Sequence, residues 1–202
     1  MAVLRPPGPV AGGLRIGLLG GSFNPAHPGH RYVAETALRR LRLDYVWFLV
    51  APQNPLKPVH GMAPLAERLA GARKLIGSNH RLIVTDLERT LACRYTVDTI
   101  KALATRFPMV RFVWLMGSDN LLQFDRWQRW RDILAAIPAA VVLRPGYTLA
   151  PLKARAIRAK PGRFAIIDGR RNESSATEIR ARLAHKAGGD TVRAQHAKGE
   201  VH

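Results

Sequence analysis

The sequence predicts an α/β protein with a mainly parallel, doubly wound sheet covered by helices on both faces. Short apolar runs alternate with amphipathic segments along most of the chain, which is typical of strands joined by crossover helices. The first run, residues 14–20, ends in glycine and suits a strand buried on both faces of a parallel sheet. The 202 residues are 47% hydrophobic and 23% charged, as expected of one globular domain. We therefore expect a Rossmann-like architecture.

Six apolar runs have the length of strands, and five segments have the spacing of helices. In the first such segment the apolar residues Val33, Ala37 and Leu41 recur every four positions, which gives one face for packing. The predicted strands are residues 14–20, 46–50, 82–85, 110–116, 139–143 and 164–167. The predicted helices are residues 29–42, 64–76, 97–105, 120–133 and 177–187. We expect one domain over residues 14–187, with flexible termini at 1–13 and 188–202.

The composition excludes several classes of protein. Cys93 is the single cysteine, so no internal disulfide framework is possible, and no zinc-ligand spacing is present. No apolar run approaches the ~20 residues of a membrane-spanning helix. The N-terminal residues lack the basic start and apolar stretch of a signal peptide, so we expect a cytoplasmic protein without membrane contacts.

The chain is strongly basic, with 32 lysines and arginines against 14 acidic residues and a net charge of +18. Such a balance favours polyanionic partners. Twenty-five of the basic residues are arginine, however, and that bias can also follow from genome composition. Nucleic acid is therefore not the expected partner. The most basic stretch, residues 153–182, suits either a phosphate site or solvated surface.

The loop after the first strand has the character of an anion site. It reads GGSFNPAHPGH and is neither of the usual glycine-rich phosphate loops. We expect Gly20 and Gly21 to allow a tight turn with exposed N–H groups, and Pro28 to occupy the first helical position. His27 and His30 then lie on one side of the helix start, where the helix dipole attracts anions. A capping and a surface histidine are the plainer alternative, and metal ligation by the pair lacks a third ligand nearby.

A second anion-ready helix start is predicted near the C-terminal end, in the segment ESSATEIR at residues 173–180. Its hydroxyl side chains, Ser175 and Thr177 among them, are good helix caps, and Arg180 follows within one turn. A helix with an ordinary cap is the alternative interpretation of this segment.

These two motifs carry a family resemblance. GSFNPAHPGH resembles the GxFxPxHxGH signature of the nucleotidyltransferase superfamily, and ESSATEIR resembles its second signature, ISSTxIR, with Ala176 in place of one serine. Further segments narrow the subgroup, because RYTVDTI at 94–100, GSDNL at 117–121 and RPGY at 144–147 are similar to motifs of nicotinate-nucleotide adenylyltransferases. The resemblance extends over residues 14–183.

The resemblance implies adenylyl transfer from ATP to nicotinate mononucleotide in NAD biosynthesis, with Mg²⁺ carried mainly by the ATP phosphates and few dedicated protein ligands. Phosphopantetheine adenylyltransferase, a relative with which this subgroup can be confused, usually has threonine where His27 stands. Transfer to nicotinamide mononucleotide or phosphopantetheine, and a basic RNA-binding protein on an inactive scaffold of this fold, remain the alternatives. Whether the chain forms a homo-oligomer is left open.

The resemblance also assigns roles to residues. His27, His30 and Arg180 would be catalytic through the ATP phosphates. An aromatic side chain is the natural partner for stacking on the pyridine ring, and the resemblance favours Trp127 over Trp130. Their spacing of three also suits two core residues on one helix face, which is the alternative interpretation. The implied ATP-binding residues are Gly20, Gly21, Ser22, Phe23, Lys57, Gly117, Asp119, Ser175 and Thr177. The implied residues for the mononucleotide are Asn24, Tyr95, Thr96 and Trp127.

Overall fold

The computed structural model describes residues 5–52, 61–143 and 154–168 of the chain. Residues Met1–Ile167 form one compact unit, and Asp168–His202 form a second unit of which only Asp168 is described. The fold given below is that of the first unit. The single domain expected over residues 14–187 therefore stays a prediction.

Six strands form one sheet in the order β3-β2-β1-β4-β5-β6. The pairs β1–β2, β2–β3, β1–β4 and β4–β5 are all parallel. The chain therefore winds outward from β1 to β3, returns to the middle and winds outward again from β4, which confirms the doubly wound, mainly parallel sheet. The strands are β1 Arg15–Gly21, β2 Tyr45–Val50, β3 Leu82–Thr85, β4 Arg111–Gly117, β5 Ala139–Leu143 and β6 Phe164–Asp168.

Seven α-helices lie within the described residues, and three of them match predicted helices to within two residues at each end. They are α1 Pro28–Arg40, α2 Leu65–Ile76, α3 Leu87–Thr90, α4 Thr96–Arg106, α5 Ser118–Leu121, α6 Trp130–Ala136 and α7 Arg155–Ala159. The predictions missed α3 and α7, because four or five residues are too few to show a helical period. No helix in the described ranges is long and apolar enough to cross a bilayer.

Helices cover both faces of the sheet, and each face has its own hydrophobic core. On one face α4 and α6 pack with Trp47 and Trp114, and on the other α1 and α2 pack with Phe48 and Leu115. Neighbouring residues of one strand point to opposite faces, so Trp47 and Phe48 enter different cores. This double burial explains why the strands are continuous apolar runs.

The segment after β4 is helical, as predicted around residues 120–133, but the helix is interrupted. It forms the short helix α5, a 3₁₀ turn at Phe124–Arg126 and then α6. Between the last two, Trp127 is extended (φ −71°, ψ 143°) and Arg129 is left-handed (φ 52°). Trp127 and Trp130 therefore do not share a helix face. Trp130, at 6% exposure, is the core residue that one of the alternatives proposed.

Candidate active site

A cavity of about 560 Å³ lies at the carboxyl ends of β1 and β4, where the direction of winding changes. Sheets of this kind bind ligands at that point. Its walls come from the loop after β1, the end of β2, the segment from α3 to the start of α4, and the segment after β4. The lining residues are Gly20, Gly21, Ser22, Phe23, Asn24, Pro25, His27, His30, Ala51, Glu88, Arg94, Tyr95, Thr96, Asp119, Asn120, Gln123, Arg126, Trp127 and Gln128.

Gly20 and Gly21 do not have the structural role that the sequence predicts. Gly20 and Gly21 are the last residues of β1, paired with Leu49 and Val50, and neither has a positive φ. A Cβ on Gly20 would lie 2.3 Å from the ring of Trp114, so close packing is what requires glycine there. The prediction that these glycines make the turn is wrong.

The turn itself occurs at Phe23, whose φ of 48° is unusual for a bulky side chain. The Phe23 ring is buried and packs against Phe48 and His30, with ring centroids 5.5 and 4.7 Å apart. The apolar contacts of the ring stabilise a strained backbone position at the edge of the cavity.

The two histidines lie together at the start of α1, as predicted, with ring centroids 3.8 Å apart. His27 is the N-cap and Pro28 occupies the first helical position. The backbone N–H of His27 donates to Nδ1 of His30 over 3.2 Å. An Nδ1 that accepts a hydrogen bond carries no proton, so the neutral imidazole of His30 has its proton on Nε2. His30 can therefore donate a hydrogen bond from Nε2.

Asn24 lines the cavity but also joins two loops. Its Nδ2 donates to the carbonyl of Gly61 over 3.1 Å, and its Oδ1 accepts from the N–H of Ala63 over 3.1 Å. The amide thereby connects the loop after β1 with the residues that lead into α2. Both polar atoms of the Asn24 amide are hydrogen-bonded to the main chain, so the side chain mainly shapes the loop in this structure.

Arg68 on α2 stands directly behind the same loop and is 4% exposed. Its Nη1 donates to the carbonyls of Ser22 and Ala51, both over 2.7 Å. Its Nε and Nη2 donate to the carbonyls of Ala63 and Pro52 over 2.9 and 2.8 Å. Burial lowers the pKa of Arg68, although a guanidinium keeps its charge in proteins.

The opposite wall of the cavity is formed by the start of α4 and by Trp127. Tyr95 is the N-cap of α4, and its carbonyl accepts from the N–H groups of Asp98 and Thr99. The N–H groups of Thr96 and Val97 have no acceptor among the described residues, as is usual at a helix start. Trp127 is half-buried against Phe124 and Trp114, with ring centroids 5.3 and 5.8 Å apart, and also lines the cavity. The guanidinium of Arg94 lies 5.6 Å from the centroid of the Tyr95 ring.

Two predicted residues from the segment GSDNL take different positions. Asp119 lies in α5 and lines the cavity. Gly117 ends β4, acts as the N-cap of α5 and is not among the lining residues.

Sequence reasoning missed Glu88, which lines the cavity at 7% exposure. The hydroxyl of Thr99 donates to its carboxylate over 3.3 Å. Burial raises the pKa of Glu88 to about 7, and the Thr99 hydrogen bond opposes that rise. Nearby, burial also raises the pKa of the Cys93 thiol, so the cysteine is not an activated nucleophile. Glu88 gave no signal in the sequence, because a single acid after a strand matches no spacing pattern.

The other lining residues that were not predicted are Pro25, Ala51, Arg94, Asn120, Gln123, Arg126 and Gln128. Within the described residues no group of three His, Cys, Asp or Glu side chains is placed to hold a metal ion. Four predicted site residues, Lys57, Ser175, Thr177 and Arg180, lie outside the described residues.

Comparison with known proteins gives a consistent result. Residues 18–182 match the cytidylyltransferase-like family. A probable nicotinate-nucleotide adenylyltransferase of Parvibaculum lavamentivorans is 49% identical over 84% of this chain and 92% of its own length. Proteins of the same name from Gluconobacter oxydans and Methylorubrum extorquens are 57% and 55% identical, over 66% and 72% of this chain and 68% and 78% of their own lengths.

Solved structures support the fold. The nicotinic acid mononucleotide adenylyltransferase of Plasmodium falciparum, complexed with NaAD, has a TM-score of 0.64 to this chain at 18% identity. The same enzyme complexed with APC has a TM-score of 0.62 at 17% identity. Each comparison covers 76% of this chain and 74% of the other.

Proposed function

Because this chain belongs to the nicotinate-nucleotide adenylyltransferase family, within the cytidylyltransferase-like proteins, we propose that it transfers the adenylyl group of ATP to nicotinate mononucleotide. The products are nicotinate adenine dinucleotide and pyrophosphate, and the reaction is a step of NAD biosynthesis. The chain is thus an enzyme of the nucleotidyltransferase class.

One structural observation supports the proposal. The same cavity gathers the histidine pair of the first motif, the start of α4 with Tyr95 and Thr96, and the ring of Trp127. These come from three separate parts of the sequence, and each suits a different piece of the two substrates. A volume of about 560 Å³ lies within the usual range of ligand cavities.

The protein does not need to form a covalent bond with either substrate in this reaction. An oxygen of the mononucleotide phosphate attacks the α-phosphorus of ATP and forms a new P–O bond. The bond from the α-phosphorus to the bridging oxygen breaks, and that oxygen leaves with pyrophosphate. The attacking oxygen is already an anion, so no general base or covalent intermediate is needed. Positioning and stabilisation of charge supply most of the catalysis.

His27 and His30 suit the phosphate end of this reaction. Nδ1 of His30 accepts from the main chain, so the neutral imidazole carries its proton on Nε2 and acts as a donor there. Donors held in place before the reaction stabilise the negative charge that develops toward the leaving pyrophosphate. The start of α1 adds its dipole at the same position. Phe23 and Ser22 of the same loop complete the proposed phosphate contacts.

The remaining predicted contacts to ATP are proposals from the family motifs. Lys57, Ser175, Thr177 and Arg180 would bind the β- and γ-phosphates, and Asp119 would accept a hydrogen bond from a ribose hydroxyl. Glu88 and Asp119 are the acidic residues among those lining the cavity. So few carboxylates fit a Mg²⁺ ion held mainly by the triphosphate itself, where it neutralises phosphate charge.

The wall formed by α4 and Trp127 suits the nicotinate group. The half-buried indole offers a face on which a pyridine ring can stack. A nicotinate carboxylate needs donors, whereas an acceptor in the same position would select the amide. The hydroxyl of Thr96 and the N–H groups of Thr96 and Val97, at the start of α4, are such donors.

The test is pyrophosphate release with ATP and Mg²⁺, measured in parallel with nicotinate mononucleotide, nicotinamide mononucleotide and phosphopantetheine. We expect a strong preference for the first acceptor. Preference for either of the others would overturn the substrate assignment. A folded protein that releases no pyrophosphate with any of them would favour an RNA-binding role, which predicts RNA affinity that falls steeply with salt. The cytoplasmic location stays a prediction.

A further inference from the structure

Arg68 is a buried cation whose hydrogen bonds all go to main-chain carbonyls. Its forked guanidinium group joins three segments of chain by hydrogen bonds. Ser22 follows β1, Ala51 and Pro52 follow β2, and Ala63 precedes α2. Within the described residues no carboxylate forms an ion pair with it. A planar guanidinium can satisfy several acceptors in a fixed geometry, which a lysine cannot.

The contact to Ser22 determines the orientation of one peptide group at the cavity. In a trans peptide the carbonyl of residue i and the N–H of residue i+1 point in opposite directions. The carbonyl of Ser22 points at Arg68, so the N–H of Phe23 points away from Arg68. Phe23 lines the cavity, and its N–H has no acceptor among the described residues.

The backbone at Phe23 needs such support. A φ of 48° is costly for a phenylalanine, and the relaxed alternative would rotate the Ser22–Phe23 peptide. Two short hydrogen bonds from Nη1, to Ser22 and to Ala51, join this peptide to the end of β2. Arg68 therefore holds the loop in the conformation in which the Phe23 N–H has no acceptor among the described residues.

We propose that Arg68 is a positioning residue for adenylyl transfer, which orients the main-chain N–H of Phe23 toward the phosphate groups of bound ATP. The inference rests on the proposed function, because it takes the first loop as the phosphate site. Arg68 touches no substrate in this arrangement. Its fork geometry, rather than its charge, is what the loop requires.

Arg68→Lys tests the proposal, because it keeps the charge and removes the fork. The matched control is Arg73→Lys, the same change at an exposed residue of the same helix. We expect Arg68→Lys to lower kcat by about 100-fold, as displacement of catalytic groups does. Its KM for nicotinate mononucleotide should stay within about threefold of the original, since that wall lies on other elements. Arg73→Lys should leave both constants unchanged. A kcat for Arg68→Lys within about threefold of the original, in folded protein, would overturn the proposal.

A second measurement follows the peptide directly and does not depend on turnover. Ser22–Phe23 is the one Ser-Phe pair in the sequence, so ¹³C-carbonyl serine and ¹⁵N-phenylalanine labels select its amide in NMR spectra. On addition of the α,β-methylene analogue of ATP, the Phe23 amide proton should shift downfield in the original protein and not in Arg68→Lys. An equal shift in both, or none in the original, contradicts the proposal.

The two measurements separate the proposal from the proposed function. Absence of turnover with nicotinate mononucleotide would defeat the function, while the Phe23 shift would still decide the role of Arg68. Should Arg68→Lys unfold, as a thermal unfolding curve would reveal, Arg68→Gln replaces it in both measurements, and absence of a Phe23 shift in the original protein overturns the proposal in either case.

Discussion

The ring centroids of His27 and His30 are 3.8 Å apart at the start of α1. Nδ1 of His30 accepts from the main chain and leaves Nε2–H as a donor. We expect His30→Ala to lower turnover by about 100-fold or more, the usual result of removing one preorganised donor. Steady-state kinetics measure the loss, and circular dichroism should show an unchanged fold. His80→Ala, at an exposed position, is the control, and near-normal turnover of His30→Ala would remove the phosphate role.

Glu88 makes folding stability depend on pH. Its pKa is about 7 in the folded chain, against 4.5 for an exposed glutamate, because burial penalises the charged form. The folded state therefore binds the proton more tightly. The stabilising effect of the proton is complete below about pH 4.5 and is lost as the pH rises through about 7. Above that pH the buried charge costs up to roughly 3 kcal/mol.

Glu88→Gln should remove this dependence, since glutamine can still accept from Thr99 but carries no charge. We expect the variant to be more stable than the original protein at pH 8 and about equal near pH 4.5. Urea unfolding over a pH series measures the difference, with the exposed Glu67→Gln as the control that leaves the profile unchanged. Parallel profiles for Glu88→Gln and the original would mean that Glu88 is not a buried titrating group.

Residue types were easier to predict than residue conformations. The histidine pair and Pro28 follow from sequence, because a helix start after a buried strand leaves them few alternatives. The positive φ of Phe23 does not follow, since phenylalanine rarely adopts it and tertiary contacts impose it. Arg68 left a signal, because its spacing of four from Ala72 and Ile76 places a basic residue on the buried face of α2. Its carbonyl partners are invisible until the loops are folded.

At the scale of elements, the break between α5 and α6 decides what Trp127 can do. A continuous helix would have given Trp127 and Trp130 a common face. Instead, the extended backbone at Trp127 separates it from α6, and its ring reaches the cavity while Trp130 stays in the core. The sequence carries helical periodicity across this break, so only the left-handed Arg129 and the packing of both rings on Phe124 reveal it.

We expect Trp127→Ala to raise the KM for nicotinate mononucleotide by about tenfold or more, the usual value of one aromatic stacking contact, and the KM for ATP much less. Initial rates with each substrate varied in turn provide the comparison. Trp127→Phe keeps a ring and should recover most of the loss. An equal rise in both KM values would show instead that Trp127 acts through its packing on Phe124 and Trp114.

The main strands and helices could be predicted because burial and amphipathicity determine the spacing of apolar residues in the sequence. Every predicted strand is present, and the strand order places the ends of β1 and β4 side by side. The cavity then follows from topology, which brings the loop after β1 near Trp127, about a hundred residues away along the chain. The set of lining side chains could not be predicted, because Glu88, Gln123 and Arg126 depend on the exact paths of short segments.

For the molecule as a whole, the net charge of +18 has a kinetic consequence. ATP and nicotinate mononucleotide are anions, and a positive field raises their rate of encounter with the protein. Added salt screens that field, since the Debye length shortens to about 10 Å at roughly 0.1 M salt. Salt should change kcat much less, because kcat describes substrate that is already bound.

We therefore expect kcat/KM to fall several-fold between about 20 and about 200 mM potassium chloride, with a much smaller change in kcat. Initial rates at both salt concentrations provide the check, with sucrose as a control for general solvent effects. A kcat/KM that does not change with salt would mean that the basic residues are arranged without a net field at the cavity.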